Sequence, residues 1–445
     1  MLDTVLMGAR VMDPESGLDE ICNVGIKDGS IAALERGRLS AAETIDVKGL
    51  VCAPGFIDIH THEDTVGPDA LPMHTAAAAL KTGNTSIVTG NCGMGPFPFD
   101  SYLAHIRRDT FGAQCFFLAG NVSLRESEGV GRYNRADDAQ LDRMVKKARA
   151  AMQQGALGVS FGLQYAPGTD EREILALCSI AAEEGGFAAF HMRYDYPERA
   201  GETVAEVLSA ARRTGAKTEI SHLAANVYGE GKLALAAKAI MDSGLDVMAD
   251  VYPYNVWATS IQSAVFDDGF DNFNFDVTDL ELLTGPFAGQ YCTQRLFEIL
   301  RAEPEDTMVA CHNAMPMEDV EAAYRLPFTM VGSDGQLAAE NGRVLGHPRG
   351  AGSPARFLKE FVREKQVLSL MEGIRKLTLL PAQRCGLAKK GRIAVGCDAD
   401  LTLFDPDTIA DRSCFGADVC ARPPKGIHAV VRAGKVVYRG NSSEA

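Results

Sequence analysis

The sequence predicts an α/β protein: a (β/α)8 TIM-like barrel joined to a small β-sandwich domain formed from both chain ends. Three observations carry this. Short apolar runs alternate with Ala-rich segments of helical period through the middle of the chain. Side chains able to bind a metal or move a proton stand at the C-terminal ends of several of those runs, the rim that carries chemistry in such barrels. The text near both termini is rich in short strands and tight turns.

At the N-terminus, Val5-Leu-Met-Gly-Ala-Arg-Val-Met-Asp-Pro14 precedes Cys22–Leu34, where Asp28-Gly29 between apolar runs signals a hairpin. Similar text returns at Gly391–Asp405 and at His428–Tyr438, with a second hairpin turn at Ala433-Gly-Lys435. Residues 1–54 and 385–445 are therefore expected to form one small β domain around a hydrolase barrel of residues 55–384. Within the barrel, strand candidates end at His62, at Cys92, near Gly120, near Ser160, at His191, at His222, near Asp250 and at Asp334. Periodic segments such as Ala139–Gln154 and Thr203–Thr214 lie between them. An insertion at about residues 260–325, between strands 7 and 8, breaks the alternation with Asp- and Phe-rich text. In it, Met308-Val-Ala-Cys-His312 reads either as an extra strand or as a displaced barrel strand.

Length and composition narrow the function. The chain has 445 residues and no run long enough to span a bilayer. Its first residues lack the layout of a signal peptide, and its 11 cysteines include no C-x-x-C pair. A cytoplasmic protein with reduced thiols is expected. The net charge of -15 argues against nucleic acid and anionic membranes as partners. It does not constrain a small-molecule substrate, and nothing in the sequence sets an oligomeric state.

In Gly55-Phe-Ile-Asp-Ile-His-Thr-His62 two imidazoles stand two residues apart, so a strand points both to the same face. Taken singly, Cys92 reads as a buried thiol, His191 and His222 as packed or surface histidines, and Asp334-Gly335 as the start of a turn. Six such residues at strand ends are hard to explain by packing. Zinc accepts this mixture of sulfur, nitrogen and carboxylate oxygen and lowers the pKa of its water toward about 7. An Asp beside it can take a proton from that water and pass it to a leaving amine. Metal-assisted hydrolysis of an amide-like bond is the chemistry indicated. His74, His105 and His428 fit ordinary positions, His312 follows its undecided strand, and His347 lies in a Gly/Pro loop that could approach the site.

With these residues the chain resembles the amidohydrolase superfamily, and within it the N-acyl-D-amino-acid deacylases (D-aminoacylases). The resemblance runs over nearly the whole length. It rests on Gly55–His62, Gly90-Asn-Cys-Gly93, Gly155–Leu163, His191-Met-Arg193, Ile220-Ser-His222 and Asp250-Val-Tyr-Pro-Tyr254. It continues through Gly332-Ser-Asp-Gly335, His347-Pro-Arg349, Lys376-Leu-Thr378 and the strand ending at Asp405. Gly-Asn-Cys-Gly discriminates most. Many relatives bridge two metals with a modified lysine from the fourth strand, and Ala156–Leu163 has no lysine. The resemblance implies Zn2+ held tightly by Cys92, His191 and His222, a weaker second site from His60, His62 and Asp334, and Asp334 as general acid/base. It implies that Arg349 and Tyr252 hold a substrate carboxylate, with Arg193 a further candidate. The family usually has a lysine where this chain has Ala224, and a serine where it has Ala258. Thr259, Ser260 or Arg193 are candidates to compensate. The expected activity is hydrolysis of an N-acyl-D-amino acid, or a close analogue, to a carboxylate and a free amine. The missing lysine and serine leave room for a cyclic amide or imide, a dipeptide-like amide or a lactone. A metal-binding homologue without catalysis is the third alternative.

Overall fold

The computed structural model describes residues 1–62, 73–108, 112–194, 196–229 and 231–440. It has a mixed α/β architecture. Among the described residues no helix is long and apolar enough to cross a membrane.

Both chain ends build one eight-stranded sheet. Leu401–Phe404 lies antiparallel to Val51–Pro54, in the register Leu401↔Pro54 to Phe404↔Val51, and Leu2–Asp13 continues the sheet on the other side. Both expected hairpins form. Asp28 and Gly29 adopt φ of 50° and 77°, and Ala433 and Gly434 adopt 47° and 78°, the pair of positive values that a two-residue hairpin turn requires. Alternating side chains such as Val11, Ile26, Leu401 and Val431 pack into a separate core beneath this sheet.

The middle of the chain supplies eight short parallel strands: Phe56–Asp58, Asn84–Thr89, Gln114–Phe117 (resumed at Ala119–Gly120), Gly158–Gly162, Phe187–His191, Lys217–Ile220, Val247–Val251 and Thr329–Val331. Neighbours in this order are hydrogen-bonded in parallel register. After the eighth, Asp334 N–H donates to the His60 carbonyl and His62 N–H to the Gly335 carbonyl, each at 2.8 Å. Asp58 strengthens this seam by accepting from the N–H groups of Ser333 (2.9 Å) and His60 (3.2 Å). The second, fourth and fifth strands are buried on both faces, as parallel strands covered by helices must be.

The two helices expected from periodicity appear at Asp138–Gln153 and Ala200–Thr214. Asp137 and Gln140 form a capping box at the start of the first, and Gly215 at φ 70° ends the second. The segment Met308–Cys311 is an extra strand. It runs antiparallel between Trp257–Ser260 and Leu280–Leu282 in a three-stranded sheet of its own. The Phe-rich stretch gives this insertion a core, with Trp257 packed against Phe266, Phe273 and Phe275.

Candidate active site

The eight strands end in a common cluster. His60 and His62 present rings 5.4 Å apart on one face, as a two-residue spacing in extended chain dictates. Cys92 comes from the loop after the second strand. That loop is built by its glycines: Gly90 and Gly93 adopt φ of 82° and 76°, and Cys92 itself 54°. Asn91 ties it down by donating from Nδ2 to the carbonyls of Ile59 (3.2 Å) and Val88 (3.0 Å). The loop lies directly on the fourth strand, where a Cβ on Gly162 would strike the Cys92 carbonyl. Gly162→Ala should therefore displace Cys92 and weaken zinc binding by on the order of 10-fold or more. A chelator competition that returned the wild-type affinity would refute that expectation.

His222 (φ 37°) and Asp334 (φ 51°) share the left-handed conformation of Cys92. A non-glycine residue there costs energy, and three of them in one cluster mark a functional centre. Hydrogen bonds then orient the ligand-type atoms. His60 Nδ1–H donates to Asp250 Oδ2 (2.8 Å), His222 Nδ1–H to Asn226 Oδ1 (2.9 Å), and His191 Nε2–H to Gln164 Oε1 (2.8 Å). These acceptors engage one nitrogen of each ring and turn His60 Nε2, His222 Nε2 and His191 Nδ1 inward, where a metal would take them as ligands. The Cys92 sulfur lies 3.4 Å from His60 Nε2 and 3.6 Å from His222 Nε2, and His222 Nε2 is 2.9 Å from His191 Nδ1.

Two groups of donors that include Cys92 converge within 4.8 Å, Cys92 with His191 and His222, and Cys92 with His60, His62 and Asp334, and a third group joins His60 to Glu219 and Asp250. Nitrogens this close need a shared proton or a metal cation between them. One soft sulfur with two imidazoles is a donor set that suits zinc, so these residues fit the metal that the sequence implies. Cys92 belongs to both groups, which places it between the two sites rather than in one of them.

Asp334 sits at the junction. Its Oδ1 accepts from His62 Nε2 at 2.9 Å and lies 3.4 Å from His60 Nε2, while Oδ2 pairs with Arg349 Nη1 at 2.9 Å. Burial alone would raise this carboxyl, but Arg349 and the surrounding imidazoles outweigh it and hold Asp334 well below the usual carboxylate range. Burial also acts on Asp250, where His60 overcomes it and keeps the carboxyl low. Glu219, buried behind Asp250, is pushed well up by burial and by the Asp250 charge. Burial and the neighbouring Arg349 push the His347 imidazole well down, so it stands neutral beside the cluster.

A cavity of about 400 Å³ opens onto Asp334, His62, His347 and Arg349. Arg349 is buried. Its guanidinium also donates from Nη2 to the Ala258 carbonyl (3.4 Å) and stacks over Tyr252, 4.7 Å from the ring centre. Tyr252 thus supports the face of Arg349. Thr259 and Ser260 line the cavity, although the Ser260 hydroxyl already donates to Asp306 (2.7 Å).

Arg193 does not belong to this cluster, which corrects the sequence-based expectation. Its guanidinium is engaged by the Glu206 carboxylate (2.8 Å) and by the carbonyls of Pro167 and Thr169, both at 3.0 Å. Arg193 follows the fifth strand, Phe187–His191, by two residues, and was expected as a group that could compensate for Ala224 and Ala258. His312 likewise lies off the site, bonded to Glu281 at 2.9 Å.

Three orienting residues escaped the sequence reading. Asp250 carried the same strand-end signal as the ligands. Asn226 had the weaker signal of lying four residues after His222 on the short helix Leu223–Asn226. Gln164 had none.

Comparison with known proteins agrees with this geometry. The family profile described as "Amidohydrolase family" matches residues 51–437. An N-acyl-D-glutamate deacylase from Alcaligenes xylosoxydans xylosoxydans is 31% identical, over 98% of this chain and 94% of that protein. A D-aminoacylase from the same organism is 29% identical over the same shares of the two chains. Among solved structures, the N-acyl-D-glutamate deacylase of Bordetella bronchiseptica is bound to zinc and to a phosphonate mimic of the tetrahedral intermediate. It superposes with a TM-score of 0.85 at 27% identity, over 98% of this chain and 96% of that one. A D-aminoacylase structure gives a TM-score of 0.86 at 26% identity, over 99% and 97%. With the profile spanning most of the chain and the likeness extending almost from end to end, this protein belongs to the amidohydrolase family.

Proposed function

We infer that this protein is a zinc-dependent deacylase that hydrolyses N-acyl-D-amino acids, or close analogues, to a carboxylate and a free amine. The observation that carries the reading is the Cys92 sulfur set against His191 and His222, with Asp334 and Arg349 beside them at the cavity. Full-length similarity to an N-acyl-D-glutamate deacylase and a D-aminoacylase supports it. The eight parallel strands are read as a (β/α)8 barrel spanning residues 55–384, with the insertion between its last two strands. The shared terminal sheet of residues 1–54 and 385–445 is read as the small β domain.

Cys92, His191 and His222 would hold the tighter zinc, and His60, His62 and Asp334 a weaker second ion. When bound, the metal supplies a water activated for attack and polarises the scissile carbonyl. Asp334, ionised at rest, takes a proton at its carboxylate and delivers it to the departing amine nitrogen. His62 and Arg349 hold both Asp334 oxygens in place, so the carboxylate is oriented before substrate arrives. Arg349 offers its planar fork to the substrate carboxylate, which would share the guanidinium with Asp334. Tyr252 fixes the plane of that fork.

Matched N-acetyl D- and L-amino acids, assayed with zinc-loaded protein, test the reading. Acetate release confined to the D series is expected, and a broad panel without D-selective release refutes it. Arg349→Ala should raise KM more than it lowers kcat and reduce kcat/KM by roughly 100-fold, the loss expected when a charged hydrogen-bond partner is removed. Ala224 and Ala258 favour one second reading, ring opening of a cyclic amide. An activity of that kind that survived Arg349→Ala would select it.

A further inference from the structure

We propose that the cavity selects substrates whose amino-acid side chain is neutral and apolar, and rejects those with a second carboxylate. The inference rests on the deacylase reading and narrows its substrate class. A second carboxylate buried in the cavity needs a cation or several hydrogen-bond donors of its own. Among the described lining residues the only lysines or arginines are Arg125, Arg132 and Arg349.

Each of the three already has its partners. Arg349 answers Asp334 and the substrate's own carboxylate. Arg125 is buried against Glu173 (2.5 Å) and also donates to the carbonyls of Gly131 and Asn134. Arg132 is exposed, donates to the Gln262 carbonyl at 3.0 Å and lies 3.8 Å from Asp267, so solvent and that carboxylate screen its charge. The other charges at the wall, Glu126 and Asp306, are acidic and would repel a carboxylate.

Hydroxyl and amide groups also line the wall, but the Ser260 hydroxyl donates to Asp306 (2.7 Å) and the Gln262 amide donates to the carbonyls of Leu300, Glu303 and Glu305, and apolar groups cover much of the rest. Val122 comes from the helix Asn121–Glu126, Leu283 and Met308 from the insertion, and Leu345 from the hairpin strand Arg343–Gly346. Ala258 adds a methyl group on the strand that begins with Trp257. A branched aliphatic or thioether side chain packed against these groups would displace water from them. The insertion therefore sets specificity through Leu283 and Met308, while the strand ends supply the hydrolytic groups.

The test is a kinetic comparison of N-acetyl-D-leucine, D-methionine, D-glutamate, D-aspartate and D-lysine on zinc-loaded, full-length protein. The leucine and methionine substrates should exceed the glutamate and aspartate ones in kcat/KM by on the order of 100-fold. Leu283→Arg should raise the glutamate-to-leucine ratio by about 10-fold or more by supplying the missing cation. Faster hydrolysis of the D-glutamate or D-lysine substrate by the wild type overturns this proposal and leaves the deacylase reading standing. No release from any D substrate overturns both. The wild-type ratios decide the matter even if the Leu283 variant does not fold.

Discussion

Replacing Asp334 with asparagine is expected to lower kcat by roughly 10³-fold while the tighter zinc stays bound. Asparagine keeps the shape of the side chain and an acceptor for His62, but it cannot take up and release a proton. The tighter site is drawn from Cys92, His191 and His222, so its affinity should change little. Metal analysis alongside steady-state kinetics separates the two effects. A kcat within a few-fold of wild type would remove Asp334 from the acid–base role. Zinc lost together with activity would instead make Asp334 a ligand of the principal ion. The variant also breaks the ion pair with Arg349 (2.9 Å), so KM can move independently of kcat.

Cys92→Ala should be more damaging still. The Cys92 sulfur faces both His60 and His222, and it belongs to both groups of donors that surround it. Its removal takes the only sulfur from the cluster and leaves the inward nitrogens without the charge that balances a dication. Zinc content should fall well below one ion per chain after dialysis, with a loss of activity on the order of 10³-fold or more. His62→Ala is the informative contrast. It should retain the tighter zinc, because His62 touches Asp334 and takes no part in the group with His191 and His222. Equal zinc loss in the two variants would contradict the division into a tighter and a weaker site. Circular dichroism on each variant establishes that the fold survives.

Much of this site was legible because parallel strands leave a regular trace in sequence. Each is a short run of apolar residues, and the first polar side chain after it emerges at the same end of the sheet. His60, His62, Cys92, His191, His222 and Asp334 obey that pattern, and the structure brings all six together. The two hairpins were legible for a different reason: Asp28-Gly29 and Ala433-Gly434 need backbone angles that few residue pairs adopt easily. Arg193 shows where the pattern stops. A long side chain placed two residues beyond a strand end can reach several neighbours, and Glu206 on the following helix outcompeted the cavity for it. Met308–Cys311 shows another limit, since a four-residue apolar run reads the same in a parallel or an antiparallel sheet.

The sequence by itself determined the alternation of strands and helices, the strand-end positions of the ligand-type residues, and the loss of two polar groups at Ala224 and Ala258. These follow from local backbone preference and from side-chain chemistry, which a linear chain carries openly. Only the tertiary structure decided that Cys92 stands between the two donor groups and that Asp250, Asn226 and Gln164 orient three imidazoles. It also decided that Arg349 pairs with Asp334 and that Arg125, the other buried cation of the cavity, pairs with Glu173. Most of those are distances between atoms far apart in the chain, such as 27 residues for Gln164 and His191 and 190 for His60 and Asp250, whereas Asn226 lies only four after His222. No local rule encodes such distances; they exist only after the strands have assembled and their side chains have packed.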